Sequence, residues 1–220
     1  MTDLNSRLQQ GIEQLSLQIE PQTRQKLIQY IELIAKWNKS FNLTAIRDID
    51  DMLTLHLLDS LAVLPYIDAR RVLDVGAGAG LPGMVLALCC PQKEFVLLDT
   101  NGKKTRFMTQ AKIELGLTNV EVVHARVDEY QPLEAFDAII SRAFASVSDM
   151  LDYVDHLVTD ETTKVLAMKA DGEQEISQLS AACKAKWQIE QIHQLVIPGL
   201  QAKRQLIAIT KLATENSPGE

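Results

Sequence analysis

The apolar positions of this chain change period near residue 70. Upstream, Leu27, Tyr30, Ile31, Ile34 and Trp37 recur at i, i+3, i+4, i+7 and i+10, which is one face of a helix. Pro21 sits just ahead of that helix. Met52, Leu55, Leu58 and Leu61 mark one side of a further helix over about Asp50 to Leu64, which Pro65 should stop. Downstream, short apolar runs alternate with amphipathic stretches. RVLDV (71–75), EFVLLD (94–99), VEVVHA (120–125), FDAIIS (136–141) and KVLAMK (164–169) read as strands. Between them lie a helix from about Pro82, the helix KKTRFMTQAKIEL closed by Gly116, the helix SDMLDYVDHL, and a helix from about Gly172 to Ala185.

Runs such as FVLLD and AII are apolar on both faces, as strands of a parallel sheet covered by helices must be. Repeated β-α-β units predict an α/β fold, a doubly wound and mostly parallel sheet with right-handed crossovers. WQIEQIHQLVI and RQLIAITKL, joined by PGLQAK, predict a closing antiparallel hairpin. The expected organisation is a helical extension over residues 1–68 packed on the core, a sheet domain over 69–212, and a disordered tail over 213–220.

A length of 220 residues allows one sizeable core, and 46% hydrophobic with 23% charged residues is ordinary for a globular chain. The apolar stretch MVLALCC is too short to span a bilayer, and MTDLNSRLQQ has no signal-peptide core. A cytoplasmic location without a membrane partner is therefore expected. Cys89, Cys90 and Cys183 form no C-x-x-C pair, and His56, His124, His156 and His193 are scattered, so no metal is expected.

The net charge of −7 argues against a general nucleic-acid binder coated in lysine. Two acid-free intervals change that picture locally. Residues 33–47 carry Lys36, Lys39 and Arg47, and the stretch between Asp99 and Glu114 carries Lys103, Lys104, Arg106 and Lys112. Each island reads as an RNA face or as an ordinary solvated helix face.

The candidate chemistry sits in VLDVGAGAGLPG (72–83), where a strand runs into Gly76, Gly78, Gly80 and Gly83. Open α/β sheets bind ligands at such carboxyl ends. Gly78, Gly80 and Gly83 satisfy G-x-G-x-x-G, which alone fits NAD(P) or S-adenosylmethionine. Asp74, two residues before Gly76, should disfavour a pyrophosphate and suit a ligand bearing an ammonium or sulfonium. The closing hairpin points the same way. Asp99 ends the second strand, where a carboxylate takes ribose hydroxyls or caps the next helix.

FDAIISRAFAS (136–146), together with DVGAGAGLPG, WNKSFNLTAIRD (37–48) and HLLDSL (56–61), closely resembles the bacterial 16S ribosomal RNA guanine-N7 methyltransferases. That family is also called glucose-inhibited division protein B, and the resemblance covers nearly the whole chain. It implies an S-adenosylmethionine fold with a helical N-terminal extension. It also implies, as substrate, a guanine in the decoding-region loop of 16S ribosomal RNA, in the small ribosomal subunit or its precursor. By motif, Gly76 and Leu81 lie in the cofactor loop, Asp99 takes the ribose, Val127 and Asp128 flank the adenine, and Arg142 reaches the cofactor or the active-site mouth. The family often has Glu at the position of Asp128 and Gly at that of Ala170.

Guanine N7 carries an in-plane lone pair and no proton, so its methylation needs alignment rather than a general base. Arg142 is accordingly read as an orienting residue, and no base is named. Lys169, ending the fifth strand, reads as a substrate contact or a surface lysine. Arg204, starting the last strand, reads as an RNA contact or a structural pairing. Phe144 stacks on a base or packs in the core, and Asn38 and Asn42 cap turns in preference to reading RNA. A monomer is expected. Two other readings remain: a non-catalytic S-adenosylmethionine-binding RNA module, and an NAD(P)-dependent oxidoreductase.

Overall fold

The computed structural model describes residues 3–142, 144 and 146–213. The chain opens with α1 (Leu4–Gln14) and α2 (Pro21–Phe41), followed by α3 (Ile49–Met52), a π-helical turn (Leu53–Leu58) and α4 (Asp59–Leu61). Pro21 occupies the first turn of α2, where its missing N–H costs nothing. Asn42 ends α2 in the left-handed conformation. Asn38 holds the loop that follows: its Nδ2 donates to the Ile46 carbonyl at 3.0 Å, and its Oδ1 accepts from the Thr44 amide at 2.9 Å.

Then come β1 (Arg71–Val75), α5 (Gly83–Cys89), β2 (Glu94–Asp99), α6 (Gly102–Leu115), β3 (Val120–His124), β4 (Ala138–Arg142), α7 (Val147–Val154), β5 (Lys164–Lys169), α8 (Gly172–Ser177), α9 (Ala181–Lys186), β6 (Trp187–Gln194) and β7 (Gln205–Lys211). The seven strands lie in the order β3-β2-β1-β4-β5-β7-β6. Strands β1 to β5 pair in parallel, and β7 runs antiparallel to both β5 and β6. The strand order reverses between β1 and β4, which opens a crevice at their carboxyl ends.

Alternation along each strand divides the core into two layers. Leu73, Val75 and Ile139 face α7 and the C-terminal helices. Val72, Leu97 and Ile140 share the other cluster with Leu8, Leu27 and Tyr30 of the N-terminal helices. That second layer brings α2 against α5 and α6. Among the described residues no helix is long and apolar enough to cross a membrane.

The structure corrects four local expectations. The helix expected over about Asp50 to Leu64 is broken by the π turn, and Pro65 lies inside a short 3-10 turn (Leu64–Tyr66) rather than ending a helix. The wider turn rotates the buried face, so Leu53 and Leu57 join the core while Leu55 is only half-buried. The helix expected from Gly172 to Ala185 is two helices, because Ser180 caps α9 by accepting from the Cys183 amide at 3.1 Å. Arg142 is the last residue of β4 rather than the residue after it, and Arg204 precedes β7. The tail expected over 213–220 lies, apart from Ala213, outside the described residues.

Candidate active site

The loop after β1 is fixed by backbone before any side chain. The amides of Gly76 and Ala77 both donate to the Leu98 carbonyl, at 2.8 and 3.1 Å. Gly76 and Gly78 have φ of 69° and 62°, the left-handed region that favours glycine. A Cβ on Gly76 would meet nothing within 4 Å and would fill the cradle instead. Asp99 ties the loop to β2: its Oδ2 accepts from the Gly78 amide and its Oδ1 from the Asn101 amide, each at 2.8 Å.

Asp74 does not face this cradle. It is fully buried beneath the loop, where Oδ2 accepts from the Gly83 amide at 2.7 Å and Oδ1 has no partner among the described residues. Burial pushes its carboxyl up to about 7, against the lowering effects of that amide and Arg142. Asp74 lines neither loop cavity, so the expectation that it binds the cofactor is corrected. Its place is under the start of α5.

Three neighbouring cavities surround the loop. The first, about 370 Å³, is lined by Gly76, Asp99, Lys104, Val127, Asp128 and Phe144. The second, about 200 Å³, is lined by Thr44, His56, Gly76, Gly78, Leu81 and Arg142. The third, about 480 Å³, is lined by His56, Asp59, Arg142, Phe144, Lys169 and Arg204 among others. Gly76 and Lys104 border the first two, His56 and Arg142 border the second and third, and Phe144 borders the first and third.

Arg142, Arg204 and Lys169 each hold a carboxylate of the site. Arg142 Nη1 donates to the Leu55 carbonyl at 2.9 Å and to Asp59 Oδ2 at 3.1 Å, while Arg204 Nε donates to Asp59 Oδ1 at 3.1 Å. Lys169 is buried, not a surface lysine: Nζ donates to the Phe144 carbonyl at 3.0 Å and pairs with Glu175 at 2.9 Å. Asp128 meets Arg126 through both carboxylate oxygens, at 3.0 and 2.7 Å, and that fork holds its carboxyl below the usual range. Burial first, and Arg142 second, lower His56 to about 4, so its imidazole is neutral at neutral pH. Phe144 packs edge-on against Tyr153 of α7, with ring centres 5.7 Å apart.

The helices that carry most of the two basic islands, α2 and α6, pack side by side. Lys26 on α2 reaches the Leu115 carbonyl at the end of α6 (2.8 Å), and Trp37 on α2 meets Phe107 on α6 edge-on at 5.6 Å. The C-terminal end of α2 therefore lies beside the N-terminal half of α6. Lys36 and Lys39 on α2, Arg47 in the segment after it, and Lys103 and Arg106 on α6 are exposed, and Phe41, 41% exposed, leans on Trp37 at 5.1 Å. Lys104 departs from this group. Its Nζ turns inward, 3.9 Å from Asp99 Oδ2, and lines the loop cavities.

Tyr30, His56, Asp59, Glu175 and Tyr153 were not singled out by sequence reasoning for this site. A readable signal existed for His56 and Asp59: HLLDSL places two ionisable residues in an otherwise apolar helix, where burial demands partners. Tyr30 reads as core because its ring is core, and only its hydroxyl reaches the loop.

The ribosomal protein L11 methylase of Lactobacillus delbrueckii subsp. bulgaricus shares the fold, with a TM-score of 0.52 at 17% identity over 70% of this chain and 76% of that one. The sheet order, its reversed strand and the glycine cradle define a Rossmann-like α/β fold with a ligand cradle at the carboxyl edge of its sheet. The sequence matches the family described as rRNA small subunit methyltransferase G over residues 23–207, and the chain belongs to that family. It is 49% identical over 207 residues to Ribosomal RNA small subunit methyltransferase G of Hydrogenovibrio crunogenus, covering 94% of each chain. It is 46% identical over 204 residues to the protein of that name from Marinomonas sp., covering 93% of this chain and 96% of the relative.

Proposed function

We propose that this protein transfers the methyl group of S-adenosylmethionine to N7 of a guanine in the decoding-region loop of 16S ribosomal RNA. One observation carries the reading: Arg142 and His56 border both the glycine-loop cavity and the larger cavity beside it. A cofactor in the glycine-loop cavity and a base in the larger one would meet across these two side chains.

The residues fit the cofactor. Gly76 leaves the space a Cβ would take, Asp99 keeps further lone pairs for ribose hydroxyls beyond its two backbone bonds, and Val127 and Asp128 line the end suited to adenine. The cofactor, when bound, supplies an electrophilic methyl on a sulfonium. The chain's own residues then have to bind, orient and keep protons away from N7. His56 suits such a site because a neutral imidazole does not add a positive charge beside the sulfonium. The absence of a required base matches a site whose carboxylates are engaged by cations or amides.

RNA docking is assigned to the exposed Lys36, Lys39, Arg47, Lys103 and Arg106, together with the exposed Phe41 of α2. Phosphate contacts supply affinity and an aromatic ring offers a stacking platform. Arg142 and Arg204 serve the target nucleotide, and Lys169 acts by holding Glu175 and the Phe144 carbonyl. Lys104 belongs with the cofactor. The protein works as a cytoplasmic monomer on the small subunit or its precursor.

Mass mapping of 16S ribosomal RNA from cells with and without the protein tests this. Loss of one 7-methylguanosine in the decoding-region loop is expected, restored by the purified protein with S-adenosylmethionine. An unchanged methylation map overturns the reading.

A further inference from the structure

Asp59 joins three parts of the chain that are far apart in sequence. It follows the π turn of the N-terminal extension and receives Arg142 from the end of β4 on one oxygen and Arg204, just ahead of β7, on the other, each at 3.1 Å. Its side chain is 4% exposed, against 20% and 27% for its two partners. The carboxylate is therefore the covered centre of the array, and the guanidiniums are its face toward the cavity.

Each guanidinium has donors to spare. Arg142 uses only Nη1, for Asp59 and the Leu55 carbonyl. Arg204 uses Nε for Asp59 and Nη1 for the Lys203 carbonyl. Among the described residues, Nε and Nη2 of Arg142 and Nη2 of Arg204 make no bond, and both side chains line the 480 Å³ cavity. Around that cavity three cations, Arg142, Arg204 and Lys169, stand against two carboxylates, Asp59 and Glu175. The surplus positive charge suits one phosphate or the electron-rich edge of a purine.

Stability alone is a poor account of the array. Burying an ionic triad costs desolvation that an apolar replacement avoids. What the array supplies is orientation, because a planar fork held at one edge has its other donors fixed in direction. The π turn contributes here: it presents both the Leu55 carbonyl and the Asp59 carboxylate to the same nitrogen of Arg142. Such turns recur at functional sites.

We propose that Asp59 is a positioning residue of the substrate cavity, setting the free donors of Arg142 and Arg204 for a phosphate-flanked guanine. This rests on the assigned methyl transfer to RNA, and it makes a prediction that neither a structural strut nor a direct RNA contact would make. Asp59→Asn keeps the shape, holds at most one fork, and raises the positive charge of the cavity. Methyl transfer to small subunits under saturating RNA and cofactor is expected to fall at least tenfold. RNA affinity is expected to hold or tighten, with a salt dependence steeper by up to about one unit of slope. Cofactor affinity by calorimetry is expected to stay within about threefold.

A double-mutant cycle with Arg204→Gln then asks whether Asp59 acts through its partner. The double variant is expected to lose less than the product of the single losses. Rates that multiply, a kcat within twofold of the parent, or RNA affinity falling together with the rate each overturn the proposal. If Asp59→Asn does not fold, Arg204→Lys decides: it keeps the charge and loses the fork, so a reduced kcat with unchanged RNA affinity supports the proposal and full activity overturns it. Failure of the underlying reading is distinct, since the parent protein would then transfer no methyl group at all.

Discussion

The hydroxyl of Tyr30 lies 3.1 Å from the carbonyl oxygen of Gly80 and also donates to the Ala79 carbonyl. A helix of the N-terminal extension thus grips the far side of the glycine loop, fifty residues away in sequence. Burial raises Tyr30 well above its usual titration range, so it remains a donor at every working pH. Gly80 has φ of 82°, and a Cβ there would sit 2.8 Å from the Tyr30 oxygen. Loop and helix are shaped to each other. Tyr30→Phe keeps the ring and its contact with Phe107 while removing the grip. Cofactor affinity is expected to fall about fivefold to tenfold, near 1–1.4 kcal/mol, measured by calorimetry. Unchanged affinity with reduced thermal stability would make the bond a strut of the fold only.

Asp74 predicts a pH dependence of stability. Its folded value of about 7 lies above the ordinary 3.8, so between these values the folded state holds the proton more often than the unfolded state. Its contribution is present at low pH and is lost as pH rises toward and through 7. Asp74→Asn retains an oxygen for the Gly83 amide and removes the titration. Between pH 5 and pH 8 the parent is expected to lose roughly 2–3 kcal/mol relative to the Asn variant. Denaturant melts at the two pH values measure it, and parallel curves would mean that Asp74 titrates normally. His56, lowered to about 4, slopes the opposite way between about 6.5 and 4, and comparison with the variant cancels it.

The second basic island divides into two roles. Lys103 and Arg106 are exposed, whereas Lys104 leans toward Asp99. Replacing Lys103 and Arg106 together by Gln is expected to flatten the salt dependence of RNA binding by about 0.7 per lost contact, with cofactor affinity held. Lys104→Gln is expected to do the reverse. Titrations across a range of salt with both ligands separate them, and equal effects of the two variants on RNA would place Lys104 back on the RNA face.

Much of this was legible because the determinants are local. Continuous apolar runs and a glycine loop after the first strand define the sheet and its ligand edge, and RQLIAITKL announces the reversed strand. What sequence hid depends on three-dimensional register. Spacing locates Asp74 near the loop, yet whether a strand-end side chain points up to a ligand or down into the helix layer is decided by the pleat and by α5 above it. Lys103 and Lys104 look alike in sequence, and 100° of helix rotation separates their roles. The Asp59 array could not be read from spacing, because residues 59, 142 and 204 are joined only by folding. The π turn hid for a related reason: an apolar helix with one extra residue per turn keeps a helical pattern on either side of it.

Arg142 remains the residue on which methyl transfer should depend most steeply. Its Nη1 serves the protein, bonding the Leu55 carbonyl and Asp59, and its remaining donors border the two cavities. None of those donors should rest on N7, because a proton donor there would occupy the lone pair that takes the methyl group. The target is O6, a phosphate or the cofactor. Arg142→Lys separates the two duties. An ammonium at the end of the lysine chain offers three donors from one point, enough to keep the Leu55 and Asp59 bonds that Nη1 makes, but it lacks the planar fork that carries the rest. The melting temperature is therefore expected to change little while methyl transfer falls at least tenfold, about 1.4 kcal/mol of barrier. Single-turnover transfer to small subunits alongside thermal melts checks both halves. Full activity in the lysine variant would reduce Arg142 to a point charge, and loss of activity only through unfolding would reduce it to a tie between β4 and the π turn.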